Sequence, residues 1–99
     1  MNNFTIRVYF HDPNAPLEKY LELIETMKRN GIHNTIKSDK GRIYALPIGE
    51  FNYSGSIDRN AMLEKVKAAA GEMAEKYAVL ITESKGRNWY NLKDDTDAL

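Results

Sequence analysis

Residues 4–10 alternate strictly between apolar and polar side chains. The apolar positions are Phe4, Ile6, Val8 and Phe10. The positions between them are Thr5, Arg7 and Tyr9. A period of two predicts a strand with one face in the core and the other outside it. The strand should end near Pro13, because proline lacks the backbone N–H that a sheet ladder needs.

Two longer segments repeat their apolar residues with the period of an α-helix. In residues 16–30 the stripe is Leu17, Tyr20, Leu21, Ile24 and Met27. In the segment after residues 55–58 it is Met62, Val66, Ala69, Ala70, Met73 and Tyr77. Each stripe predicts an amphipathic helix that covers one apolar surface.

Further short strands are predicted at residues 32–38, 42–46, 50–54, 78–83 and 88–92. Pro47 predicts a kink or bulge between two of them rather than a chain reversal. When 42–46 and 50–54 are counted as one kinked strand, the order is β-α-β-β-α-β, the split βαβ, ferredoxin-like pattern. We therefore expect an α+β sandwich with both helices packed on one face of a single antiparallel sheet, plus an extra C-terminal strand. Another two-layer α+β arrangement remains the alternative.

Length and composition limit the class of protein. The 99 residues suit one domain, expected over residues 1–92, with 93–99 as an acidic, flexible tail. Without cysteine the chain can have no disulfide, thiol nucleophile or cysteine-based zinc site. No cofactor motif, signal peptide or membrane-spanning stretch is visible, so we expect a cytoplasmic protein with neither a cofactor nor a membrane partner.

Two residues at the end of the first strand could carry chemistry. Asp12 could bind Mg²⁺ or position a water molecule, and His11 could act as an acid or base near neutral pH. A second histidine, His33, could complete an acid–base pair for RNA cleavage without a metal. The alternative is that Asp12 shapes the turn before Pro13 and that His33 is an exposed loop residue.

A set of aromatic and basic residues falls on the predicted strands or at their ends. Its members are Arg7, Tyr9, Lys37, Arg42, Tyr44, Arg87, Trp89 and Tyr90. Two of its arginines end copies of Lys-Gly-Arg that lie 45 residues apart, at 40–42 and 85–87. Such a surface can stack bases and bind phosphates, or it can anchor a protein interface. Because Lys+Arg and Asp+Glu are both 14, the physical evidence alone slightly favours the protein interface.

The chain also resembles a small bacterial family of ferredoxin-like proteins that includes the GhoS-type antitoxin endoribonucleases. The resemblance rests on residues 4–8, 38–47 with 50–55, and 82–90, and it extends over most of residues 4–92. It implies a toxin–antitoxin protein that cleaves messenger RNA, on a fold shared with small CRISPR-associated nucleases. Those nucleases place an aspartate at the end of the first strand, where Asp12 lies here.

Two functional hypotheses follow. The first is a small RNA-binding protein, with endoribonuclease activity implied by the resemblance, that uses the open sheet face for single-stranded RNA. The second is a non-catalytic interaction module that forms a homodimer through its sheet face or an edge strand.

Overall fold

The fold is known from a computed structural model, which describes residues 1–12 and 14–95. The strands are β1 (Asn2–Phe10), β2 (Thr35–Lys37), β3 (Ile43–Ala45), β4 (Glu50–Gly55), β5 (Tyr77–Glu83) and β6 (Lys93–Asp94). The helices are α1 (Leu17–Arg29) and α2 (Arg59–Gly71). This is the expected α+β class and the expected order of the first seven elements.

The main sheet has β1 at its centre. Its order is β4-β1-β5, and both pairings are antiparallel. The apolar face of β1 is buried as the alternation predicts, with no member more than 2% exposed: Phe4, Ile6, Val8 and Phe10. These side chains share one core cluster with Leu23 and Met27 of α1 and with Met62 and Val66 of α2. Both helices therefore cover the same face of the sheet and leave the other face open.

The expectation of one sheet is wrong, because the described residues form two three-stranded sheets. The second sheet has the order β2-β3-β6. It meets the main sheet through a bridge in which His33 pairs with Asn52 of β4. Since Thr35 pairs with Ala45, a continuous ladder would put Pro47 opposite His33. His33 pairs instead with Asn52, which is five residues further along the chain than Pro47. These five extra residues interrupt the ladder and divide what would otherwise be one sheet.

The extra residues form a turn that contacts β1. The Glu50 amide donates to the Pro47 carbonyl at 3.0 Å, and the Val8 amide donates to the Gly49 carbonyl at 2.8 Å. Because β3 and β4 both pair antiparallel with residues 33–37, they run in the same direction. The kink predicted at Pro47, rather than a chain reversal, is confirmed.

The two helices match the sequence pattern unequally. In α2 the buried residues all belong to the predicted stripe, but Met73 and Tyr77 of that stripe lie beyond the end of the helix at Gly71, and Tyr77 begins β5. The Asp58 carboxylate caps the helix by accepting from the Ala61 amide at 2.8 Å. In α1 the buried face is rotated, because Leu17 and Leu21 are exposed whereas Leu23 and Thr26 are buried. Among the described residues, no helix has the length and hydropathy needed to cross a bilayer.

The C-terminal region also differs from the prediction. Residues 88–92 form no strand, and Asn91 has a positive φ of 58°, which is incompatible with an extended ladder. The extra strand is instead β6, at the start of the segment predicted as a tail, where it pairs with β3. The segment predicted as a flexible tail thus contributes Lys93 and Asp94 to the second sheet, and its residues 96–99 lie outside the described residues.

Gly49 should be sensitive to substitution. Its φ is +89°, and a Cβ atom there would lie 2.8 Å from the Val8 carbonyl oxygen. We expect Gly49→Ala to lower the free energy of unfolding by about 1–3 kcal/mol in urea denaturation. The matched control is Gly86→Ala, because a Cβ at Gly86 would meet nothing within 4 Å. Equal denaturation midpoints for the two variants would contradict this account.

Candidate nucleic-acid interface

A groove of about 680 Å³ lies between the two sheets. We call it the inter-sheet groove. Three sets of residues line it: Asn3, Asn52 and Ser54 of the main sheet, Ile36, Lys37, Arg42 and Tyr44 of the second sheet and its edge, and the connecting residues 38–40 and 84–89. Its volume falls within the range of ordinary ligand sites in proteins.

Five of the predicted binding residues meet in this groove. They are Lys37, Arg42, Tyr44, Arg87 and Trp89. The Tyr44 and Trp89 rings are in contact, with centroids 5.6 Å apart and planes tilted by 54°. Residues far apart in the sequence thus form one surface that offers both cations and aromatic rings.

The groove is basic although the chain as a whole is neutral. Its cationic lining residues are Lys37, Lys40, Arg42, Lys85 and Arg87, whereas Asp39 is the single acidic residue among those that line it. Both Lys-Gly-Arg sequences contribute to this lining, so the repeated triplets converge on one site. A local excess of cations attracts anions within about a Debye length, whatever the net charge of the whole chain.

Arg42 is held at the rim by Asp94 of β6. Its Nε donates to Asp94 Oδ2 at 3.1 Å, and its Nη2 makes a second contact with the same oxygen. Both side chains are partly exposed, so this ion pair contributes little stability, about 0–1 kcal/mol. Its consequence is positional, because it joins β6 to the edge of β3 beside the groove.

Arg87 is the most unusual side chain of the groove. Its Nε and Nη2 atoms are buried, and neither has a hydrogen-bond partner among the described residues. Burial lowers the pKa of Arg87 from its usual value through desolvation, although an arginine stays charged at neutral pH. A buried donor without a partner costs about 1–3 kcal/mol. Nε and Nη2 form one edge of the guanidinium, a geometry that suits two oxygens of a phosphate or carboxylate.

Asn52 also lines the groove, and it contributes a hydrogen-bond acceptor where Arg87 contributes donors. Its Oδ1 is a buried acceptor, and it too lacks a hydrogen-bond partner within the described structure. The groove thus contains both buried donors and a buried acceptor that the rest of the fold does not satisfy. Buried polar groups are seldom left unpaired, and exceptions concentrate where a protein has a functional reason for them.

The segment that contains Arg87 and Trp89 is loosely attached. In the described part of the chain, residues 85–92 make no backbone–backbone hydrogen bond and belong to no strand. The Ser84 amide, which donates to the Asn3 carbonyl at 2.8 Å, is the last ladder-like contact before this segment. Segments with few backbone hydrogen bonds open at low free-energy cost. Because Nε and Nη2 of Arg87 are buried, contact with a ligand would require residues 85–89 to shift.

Two predicted binding residues lie outside the groove on the same open sheet face. Arg7 is opposite Glu50 and Leu80, and Tyr9 is opposite Ala78. Tyr9 is six residues along β1 from Asn3, which corresponds to about 20 Å at 3.3 Å per residue. The open face therefore continues from the groove towards the C-terminal end of β1.

The predicted catalytic residues lie just beyond that end, about 26 Å from Asn3 by the same strand geometry. Asp12 Oδ1 accepts a hydrogen bond from the Asn14 amide at 2.9 Å, which is a turn-forming contact. The His11 ring packs edge-on against Tyr9, with centroids 5.2 Å apart. In residues 1–12 and 14–95, no three histidine, aspartate or glutamate side chains cluster as metal ligands would.

The structure does not form the histidine pair considered from the sequence. His33 is opposite Asn52, which is opposite Thr5, whereas His11 follows the end of β1. Six residues of strand, about 20 Å, separate the levels of the two histidines. His33 is exposed, as the alternative interpretation expected.

Sequence reasoning missed several groove residues. Asn3, Asn52 and Ser54 are polar strand residues whose role depends on which strands pair, so no local signal identifies them. Lys40 and Lys85 could have been found, because each begins a Lys-Gly-Arg triplet whose arginine was already included.

Comparison with protein-family models gives no match, and comparison with curated protein sequences gives none at a significant level. The resemblance to the GhoS-type antitoxins therefore stays a prediction.

Replacing Arg87 should make the folded protein more stable. We expect Arg87→Met to raise the free energy of unfolding by about 1 kcal/mol, because it removes buried unpaired donors and keeps a side chain of similar length. The measurement is urea denaturation. Arg7→Met is the control on the exposed face and should change the value by less than about 0.5 kcal/mol. A clear loss of stability in Arg87→Met would show that its donors are satisfied in solution.

Proposed function

We propose that this protein binds single-stranded RNA in the inter-sheet groove. The observation that carries the proposal is the convergence of five cationic side chains with the Tyr44–Trp89 ring pair on one surface. Proteins that bind single strands combine these two elements, a positively charged groove that follows the backbone and aromatic rings on which bases stack.

The ring pair favours a single strand over a duplex. Bases can stack on Trp89 or Tyr44 only when they are free of their neighbours, as in loops and unpaired segments. Stacking of a base on an aromatic side chain contributes about 1–3 kcal/mol. Both rings are half-buried at the groove, so each presents part of its surface while the rest is held by packing.

The polar lining supports a nucleotide ligand in particular. The unpaired donors of Arg87 match phosphate oxygens, or the adjacent acceptors on a base edge. The unpaired Oδ1 of Asn52 can accept from a base amino group or a ribose 2′-hydroxyl. A nucleotide supplies both kinds of group, whereas a simple anion supplies acceptors alone. The choice of RNA over DNA rests on this acceptor and on the family resemblance.

We also propose that the fold is a modified ferredoxin-like fold. In support, β1 lies between β4 and β5, and His33 pairs antiparallel with β4 on the side away from β1. That is the strand arrangement of a split βαβ sheet, interrupted by the five-residue insertion before Asn52. The antitoxin family is inferred from the resemblance, and its messenger-RNA target is part of that inference.

Endoribonuclease activity would require the bound RNA to extend beyond the groove. A strand held in the groove would have to continue along the open face, over Arg7 and Tyr9, to reach His11 and Asp12. Both residues on this path are exposed, and both suit an RNA contact, one as a cation and the other as a ring. The proposal therefore separates a binding site in the groove from a cleavage site about 20 Å beyond Asn52, the groove residue that is level with Thr5.

Binding should depend strongly on salt and should be reported by Trp89, the one tryptophan of the chain. We expect single-stranded RNA to quench its fluorescence, because a base stacks on the indole. Affinity should fall about tenfold from 50 to 200 mM NaCl if two to three phosphates are contacted. Absence of binding to a mixed-sequence RNA pool at 50 mM NaCl would overturn the proposed function.

Substitutions should locate the binding surface. We expect Lys37→Ala and Arg87→Met each to weaken RNA binding at least fivefold, since each removes a phosphate or base contact. Lys28→Ala is the matched control, because Lys28 lies in the last turn of α1, on the sheet face opposite the groove. Fluorescence anisotropy of labelled RNA measures all three. Equal losses in the control would mean that binding is not localised to the groove.

The catalytic prediction is tested separately. We expect Asp12→Ala and His11→Ala to bind RNA within about twofold of the original chain, because neither residue touches the groove. If the protein cleaves RNA, gel assays should show cleavage that is lost in at least one variant while binding persists. Cleavage that survives in both variants would remove these residues from the reaction.

A further inference from the structure

The outer strand of the main sheet has an edge without the usual protection. β5 pairs with β1 on one side, and no described element pairs with its other side. Residues 77–82 are Tyr-Ala-Val-Leu-Ile-Thr, with no charge, proline or glycine. Proteins usually protect such edges with charged residues, prolines, bulges or very short strands. A seven-residue strand of this composition invites another strand to pair with it.

The exposed side chains of β5 are arranged symmetrically about its centre. Leu80 is the middle residue of Tyr77–Glu83, and it is 64% exposed. Ala78 and Thr82, two residues on either side, are exposed on the same face, whereas Val79 and Ile81 are half-buried on the helix-covered face. A pattern that reads similarly in both directions can pair with itself in an antiparallel arrangement.

We propose that two copies of this chain form a dimer by antiparallel pairing of β5 with β5, about a two-fold axis at Leu80. In this register Leu80 faces Leu80 of the second copy, Val79 faces Ile81, and Ala78 faces Thr82. The two main sheets join into one of six strands, and neither β5 edge remains. The proposal is independent of RNA binding, because β5 does not line the inter-sheet groove.

The charges at the ends of β5 favour this register. Glu75 precedes the strand and Lys85 follows it, whereas Glu83 at the end of the strand contacts Arg59 of α2 at 3.8 Å within the same chain. If the same register continued beyond β5, pairing about Leu80 would place Glu75 opposite Lys85 of the second copy. Each end of the paired strands therefore joins opposite charges, and the two-fold axis repeats the arrangement at the other end. A parallel pairing would place like charges together.

The dimer would also bury apolar surface on both sides of the joined sheet. Val79 and Ile81 pack partly against the core cluster and are only half-buried in the single chain, so pairing of the two β5 strands would cover more of both side chains. On the open face the two Leu80 side chains would cover one another. Interfaces built on one strand per copy are small, so we expect dissociation at about micromolar concentrations.

Sedimentation velocity over a range of concentrations tests the proposal. We expect a monomer–dimer equilibrium that saturates at the dimer. Leu80→Lys should raise the dissociation constant at least tenfold, because it places two ammonium groups together at the two-fold axis. Its matched control is Ile48→Lys, since Ile48 is a similarly exposed apolar residue in the turn before β4 and should leave the equilibrium unchanged. Thermal melts confirm that both variants fold.

Two further variants distinguish edge pairing from other contacts. Glu75→Lys should weaken the dimer by placing it opposite Lys85 of the second copy, and adding Lys85→Glu should restore it by reversing both members of each pair. Tyr9→Lys tests face-to-face packing of the open sheets, which would need Tyr9, whereas edge pairing leaves its dimer intact. Three results would overturn the proposal. The first is a protein that stays monomeric at millimolar concentration, and the second is one that forms open-ended larger species. The third is a dimer that is lost in Tyr9→Lys but kept in Leu80→Lys.

Discussion

The burial of one face of β1 is the constraint on which the rest of the structure depends. Its four apolar side chains lie beneath both helices, and its two edges pair with β4 and β5. Since side chains alternate along a strand, burying this face directs Thr5, Arg7 and Tyr9 to the other. A shift of one residue would exchange the two faces, so the core fixes the register of the sheet. The open face that we connect with function is thus a consequence of the core.

The inter-sheet groove arises from an interruption of that regular sheet. Five additional residues before Asn52 prevent β2 and β3 from continuing the ladder of β4, and the turn they form is fastened to β1 at Gly49. The second sheet therefore diverges from the first and leaves a space between them. Residues 84–89 complete its lining because β5 ends beside Asn3. Buried polar atoms without partners occur at this junction, where neither sheet can satisfy them.

Predictions from the sequence succeeded where the pattern is local. Strict alternation identified β1, the α2 stripe identified the buried face of that helix, and Pro47 identified the kink. They failed where long-range pairing decides the outcome. Residues 88–92 have the aromatic composition of a strand, yet Asn91 adopts a positive φ and β6 forms two residues later. In α1, Leu17 and Leu21 match the stripe but are exposed, and Leu23 is buried instead.

The sequence by itself determined the α+β class, the order of the first seven elements, the inner face of β1 and the residue types available for binding. Each of these follows from periodicity or composition over a few adjacent positions. Tertiary structure alone decided which of those residues meet. It brought the two Lys-Gly-Arg triplets and the Tyr44–Trp89 pair to one groove, and it placed His11 and Asp12 at the other end of β1. The reason is that strand pairing and the five-residue offset join residues far apart in the chain, and no local pattern records such pairings.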